Sequence, residues 1–144
     1  MSYRELTVGV FYHVFNRGFL KMNIFENFMD RERFIKKAFC LARIYNIEIS
    51  SYALMKNHFH FLLKQNGGTV FISIFMQRLG QSFASYFNLK YKRRGPVFDS
   101  RFKSKLVADN KYFEDLQKYI AFNPIKGAKI DSKNGRSVVK NVFT

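Results

Sequence analysis

Met55-Lys56-Asn57-His58-Phe59-His60-Phe61-Leu62-Leu63 is the stretch on which the reading of this chain turns. Side chains of a β-strand alternate between faces, so His58 and His60 share one face while Phe59 and Phe61 enter a core. Two imidazoles on one strand face can hold a metal ion between them. Neutral imidazole suits Mn, Zn, Co, Ni or Fe, whereas Mg needs oxygen ligands or a phosphate to complete its shell. A His-x-His pair is short, and two polar residues on a half-exposed sheet have the same pattern. The surrounding sequence has to decide between the two.

Upstream, residues 47–55 read as a strand, and Lys56-Asn57 is short enough for a tight hairpin turn into the histidine strand. Such a hairpin fixes the register of His58 and His60. Leu6 to Asn16 is rich in β-branched and aromatic residues and predicts a first strand, with Val8, Val10, Tyr12 and Val14 on one side. His13 falls on the opposite side, as a third ligand or as an ordinary strand polar residue. Asn16-Arg17-Gly18 carries turn chemistry, and a loop with a short helical piece follows. Asp30 reads as the N-cap of a helix over 31–45, whose Phe34, Ala38, Leu41, Ala42 and Tyr45 recur at helical spacing, and Asn46 suits the left-handed residue that ends it. Cys40, the lone cysteine, reads as a buried and inert thiol in that helix.

Downstream, 65–68 close the histidine strand and Thr69 reads as the cap of a long helix with the stripe Ile72, Phe75, Met76, Leu79, Phe83, Tyr86 and Phe87. Gly80 interrupts it and permits close approach of another element. A fourth strand is predicted over 102–107. Asp109 or Asn110 then caps a helix over 111–122, with Phe113, Leu116 and Ile120 as its core stripe and Tyr112, Tyr119 and Asn123 on another face. Pro124 stops this helix because it disfavours helical geometry at Asn123 and donates no hydrogen bond. Residues 126–144 read as a basic, poorly packed tail behind a single domain at 1–125. Strand, helix, strand, strand, helix, strand, helix is the order of an α+β, ferredoxin-like split βαβ arrangement with an antiparallel sheet and an added C-terminal helix.

Charge points to the partner. Among 144 residues, 25 Lys and Arg against 10 Asp and Glu give a formal charge of +15, a field that favours polyanions, with nucleic acid ahead of a membrane surface. No run of 18 apolar residues occurs and the N-terminus lacks an apolar signal core, so the expectation is a cytoplasmic protein with no membrane partner. The bases are concentrated: Lys90, Lys92, Arg93, Arg94, Arg101, Lys103 and Lys105 face only Asp99, with aromatics interleaved and a Gly95-Pro96 turn ahead of the fourth strand. Together with Arg17, these are the expected phosphate contacts.

With those pieces in order, the sequence resembles the single-tyrosine HUH transposase family, most closely its branch associated with repetitive extragenic palindromes. The residues that carry the resemblance are Tyr12-His13-Val14 through Asn16-Arg17-Gly18, Met55 to His60, Gly95-Pro96-Val97-Phe98 through Arg101-Phe102-Lys103, and Tyr119-Ile120-Ala121-Phe122-Asn123-Pro124. Phe98 departs from the pattern, standing where the branch usually has Trp. The resemblance implies an HUH endonuclease domain, a divalent metal, Mg or Mn, held by His58, His60 and the amide of Asn123, and Tyr119 as nucleophile. It also implies single-stranded or hairpin DNA as substrate, and homodimerisation is common in such proteins.

The chemistry of these residue types agrees. A phosphodiester is cleaved when an oxygen attacks in line while a cation neutralises and orients the phosphate. Phenolate is a nucleophile and also a good leaving group, so a 5′-phosphotyrosine can later be attacked by a 3′-hydroxyl without an external energy source. The four-residue spacing of Tyr119 and Asn123 places both on one helix face. Tyr112 is the competing nucleophile. Two functions follow: a metal-dependent DNA-cleaving and rejoining enzyme, or a non-catalytic nucleic-acid-binding module on the same sheet. A replication or mobilisation nuclease of the HUH type is the runner-up within the enzyme class.

Overall fold

The computed structural model describes residues 6–122, together with 129–131 and 138–140. Four strands, β1 (Phe11–Arg17), β2 (Ile47–Leu54), β3 (His58–Gln65) and β4 (Lys103–Leu106), form one antiparallel sheet in the order β2-β3-β1-β4. Helix α1 (Phe28–Tyr45) connects β1 to β2, and α2 (Ile72–Lys90) connects β3 to β4. This is the split βαβ topology expected from the sequence, with β3 paired between β1 and β2. Helix α3 (Asn110–Phe122) follows β4.

Alternation along the strands builds two unlike faces. Tyr12 and Val14 of β1 and Phe59, Phe61 and Leu63 of β3 are buried on the face covered by α1 and α2. The stripes of the two helices meet that face, and Phe34 packs against the rings of Phe59, Phe61 and Phe83. Burying so many rings supplies most of the driving force, at about 1.5–3 kcal/mol for each fully buried large apolar side chain. The opposite face carries Phe11, His13 and Phe15 of β1 and His58, His60, Leu62 and Lys64 of β3. Helix α3 packs here, with the Phe113 ring tilted against that of Phe11 at 5.0 Å between centroids and Leu116 buried. A bulge at Ser50 in β2 lets Gln117 Nε2 donate to the Ser50 hydroxyl at 3.4 Å.

Several local expectations are corrected. β1 begins at Phe11, because Val8-Gly9 forms a turn in which Gly9 takes a φ of 84°. The N-cap of α1 is Asn27, whose Oδ1 accepts from Asp30 N–H at 3.1 Å. Asp30 itself is fully buried and joins the two core helices, accepting from Tyr86 Oη at 2.6 Å, Tyr91 Oη at 2.5 Å and Lys90 Nζ at 2.8 Å. Helix α2 starts at Ile72 with no side-chain cap from Thr69, and Gln65 Oε1 takes the N–H of Phe71 instead. Cys40 is exposed, one position off the apolar stripe. Asn46 ends α1 in the left-handed region, with φ 57°, and Asp109 caps α3 through Tyr112 N–H, both as expected. Within the stretch read as a basic, poorly packed tail, Lys129–Asp131 (β5) and Val138–Lys140 (β6) pair antiparallel. Among the described residues no helix is long and apolar enough to cross a membrane.

Candidate metal and DNA site

The site is built on the sheet face opposite the aromatic core. His58 and His60 both project there, with ring centroids 5.1 Å apart and ring planes nearly perpendicular. The turn before them is clamped. Gly18 N–H donates to Asn57 O, and the N–H groups of Ile24 and Phe25 both donate to Lys56 O, so the loop after β1 holds the hairpin in place. His58 Nδ1 lies 2.7 Å from Asn57 Oδ1. An amide oxygen only accepts, so the proton sits on Nδ1 and the lone pair of Nε2 is left to face a ligand.

His60 lies deeper, and His13 from β1 reaches it, with His13 Nε2 2.8 Å from His60 Nδ1 and the rings stacked at 5.0 Å. The sequence left His13 as a third ligand or a bystander, and the structure makes it the hydrogen-bond partner of His60. Burial, reinforced by Lys105, pushes His13 down to about 4. Burial, with His13 and His58 adding to it, pushes His60 down to about 3, and burial also lowers His58. Each imidazole is therefore neutral at pH 7, the form that ligates a metal. Among the described residues no group of three His, Cys, Asp or Glu forms a metal cluster. A cation on His58 and His60 would draw its remaining ligands from amide or phosphate oxygen, which suits Mg or Mn. Asn123, expected to supply that amide, lies outside the described residues. The histidine pair fits a divalent ion.

Strand register brings cations to the same face. Arg17 pairs with His58, Phe15 pairs with both His60 and Lys103, and His13 pairs with Lys105. Directly paired antiparallel residues share a face, so Arg17, Lys103 and Lys105 surround the histidines. A cleft of about 380 Å³ opens there, lined by Arg17, Lys21, Asn57, His58, Asp99 and Lys103 among others. Lys21 was missed by sequence reasoning. It sits in a left-handed conformation, φ 63°, in the 3₁₀ turn Phe19–Lys21, and only the preceding Asn-Arg-Gly hinted at an unusual loop.

The other expected phosphate contacts divide. Lys92 and Arg94 are exposed. Arg93 is taken up by its own turn, donating to Asn88 Oδ1 at 2.6 Å and Pro96 O at 2.9 Å. Lys90, also expected among the DNA contacts, is ion-paired to buried Asp30 on the far side of the sheet, a partner 60 residues away that no local pattern announces. Arg101 is exposed beside the second, mainly apolar cavity of about 760 Å³ between α2 and the segment 98–102.

Tyr119 lies on α3, the helix that packs over the histidine face through Phe113 and Leu116. Its side chain is outside the described residues. Tyr112, the competing tyrosine, is half-buried against the core.

Comparison with known proteins accords with this architecture. The chain belongs to the IS200-like transposase family, whose model, described as "Transposase IS200 like", matches residues 7–123. Its fold resembles that of a REP-associated tyrosine transposase solved bound to a REP hairpin, with a TM-score of 0.63 at 14% identity over 86% of this chain and 72% of that one. It also resembles a Deinococcus radiodurans protein provisionally assigned as a transposase, solved at 1.90 Å, with a TM-score of 0.58 at 15% identity over 83% of this chain and 95% of that one. A comparison with curated protein sequences found no match.

Proposed function

We propose that this transposase-family protein cuts and rejoins single-stranded or hairpin DNA through a 5′-phosphotyrosine on Tyr119, with Mg or Mn at His58, His60 and Asn123. The observation that carries the reading is the common face: two histidines, ringed by Arg17, Lys103 and Lys105, beneath the helix that bears Tyr119. A noncatalytic nucleic-acid module has no need of a clamped histidine pair. Hairpin DNA is favoured by the similarity to a transposase that was solved with such a ligand.

Arg17, Lys103 and Lys105 would hold the DNA backbone across the sheet, since phosphate contacts position without reading sequence. When bound, the metal neutralises charge on the scissile phosphate and orients it for in-line attack. Tyr119 Oη forms a bond to phosphorus as the bond to the 3′ oxygen breaks. The phenolic proton leaves to solvent and the departing oxygen ends as a 3′-hydroxyl. In the reverse step a 3′-hydroxyl attacks phosphorus and the tyrosine leaves. A free phenol has a pKa near ~10, and positive charge brought close to a phenol favours its ionised form.

Incubating the protein with a pool of labelled single-stranded hairpin oligonucleotides tests this reading. A covalent protein–DNA band is expected with Mn or Mg and none with EDTA. DNA binding with no adduct under either condition would favour the noncatalytic module.

A further inference from the structure

The geometry points to His13 as a positioning residue that fixes the tautomer of His60, holding the proton on Nδ1 so that Nε2 presents its lone pair to the metal. This rests on the metal reading of His58 and His60 and extends it to a residue that the reading does not use. The 2.8 Å contact joins His13 Nε2 to His60 Nδ1, and two neutral rings at that distance share one N–H between them. If His13 donates, His60 Nδ1 is the acceptor, the proton of His60 sits on Nε2, and His60 has no lone pair for an ion. If His60 donates, Nε2 is a ligand. Only the second arrangement is compatible with His60 binding metal, so His13 must accept.

The same device recurs one position along the face, where Asn57 Oδ1 takes the Nδ1 proton of His58. Each histidine of the pair thus has its Nδ1 engaged by a partner that leaves Nε2 for the metal, the outer-sphere arrangement that orients histidine ligands. His13 is held to the task. It stacks on His60 at 24° between ring planes, packs 4.7 Å from Phe15, and lies on the central strand β1, paired on both sides. A ring committed to that hydrogen bond through Nε2 does not offer that atom as a third ligand.

The chain contains three histidines, so long-range proton–nitrogen NMR of the metal-free, ¹⁵N-labelled full chain resolves each ring's tautomer. His60 is expected in the Nδ1–H form at pH 7. His13→Phe keeps an aromatic ring against Phe15 but removes the acceptor. It should move His60 toward the Nε2–H form and weaken Mn binding, read by the free-Mn EPR signal, about 10–100-fold. His13→Gln, whose amide oxygen can accept, should restore the Nδ1–H form and most of the affinity, a rescue that loss of packing alone does not produce. The inference is overturned if wild-type His60 carries its proton on Nε2, or if His13→Phe changes neither tautomer nor affinity. Should His13→Phe fail to fold, the wild-type spectrum and His13→Gln still decide it. The metal reading fails separately, if His58→Ala binds Mn as the wild type does.

Discussion

Arg17 stands opposite His58 across the β1–β3 ladder, and its Nε is held 3.0 Å from Asp99. The cation beside the histidine pair is therefore partly neutralised by the one acid of the basic segment. Asp99→Asn should release Arg17 toward phosphate, tighten nonspecific DNA binding, and steepen the log-log salt slope by about one. Arg17→Ala should do the reverse. Titrations at several salt concentrations decide it, and an unchanged slope in both variants would remove Arg17 from the DNA surface.

Lys90 and Lys103 are both lysines of the basic segment, yet they should respond differently. Lys103→Ala is expected to lower the salt slope by about one, since Lys103 lines the cleft with His58. Lys90→Ala should leave the slope alone and cost roughly 2 kcal/mol of stability, because it removes the cation hydrogen-bonded to buried Asp30 and leaves only hydroxyl and backbone donors. Urea denaturation beside the binding assay separates the two effects.

Gly18 has no room for a side chain. A Cβ there would sit 2.1 Å from the carbonyl oxygen of Met22, a backbone atom that cannot swing aside, and 3.0 Å from Ile24. Gly18→Ala should destabilise by about 1–3 kcal/mol. Because the same loop clamps Lys56 and Asn57, it should also weaken Mn binding at His58. Mn affinity equal to wild type in a folded Gly18→Ala protein would show that the clamp does not position the histidine.

The face shared by His58 and His60 was legible in the sequence because strand period alone sets it, and the element order carried the topology. What stayed hidden depends on pairing between distant segments. His13 meets His60 across 47 residues of chain, through a register that neither strand states by itself. Asp30 reads as a cap because a carboxylate at a helix start has that role in most contexts, and its tyrosine and lysine partners lie 56 to 61 residues away. Lys21 was missed because its place in the cleft follows from a left-handed backbone at a lysine, which sequence does not forecast.

Stability of the metal-free protein should decline on acidification. Burial lowers His13 to about 4 and His60 to about 3 from an ordinary 6.5, so the unfolded chain takes up protons first as the pH falls. The stabilisation is fully present above 6.5 and is lost progressively toward 3. Burial alone would raise Asp30, but donors from Lys90, Tyr86, Tyr91 and Glu26 N–H outweigh it and hold its carboxyl below 3.8, which adds a further loss as the pH falls past that value. Melting in EDTA should show Tm falling from pH 7 to pH 4, less steeply in His13→Gln. A flat Tm over that range would contradict the buried, neutral histidines.

The most direct test of the central claim is to locate the DNA on the protein. After reaction with a cleavable hairpin oligonucleotide and Mn, nuclease trimming and peptide mass spectrometry should place a nucleotide phosphate on Tyr119. Tyr119→Phe should fold and bind DNA but give no adduct and no cleavage, while Tyr112→Phe keeps both. A nucleotide on Tyr112, or wild-type cleavage by Tyr119→Phe, would contradict the account.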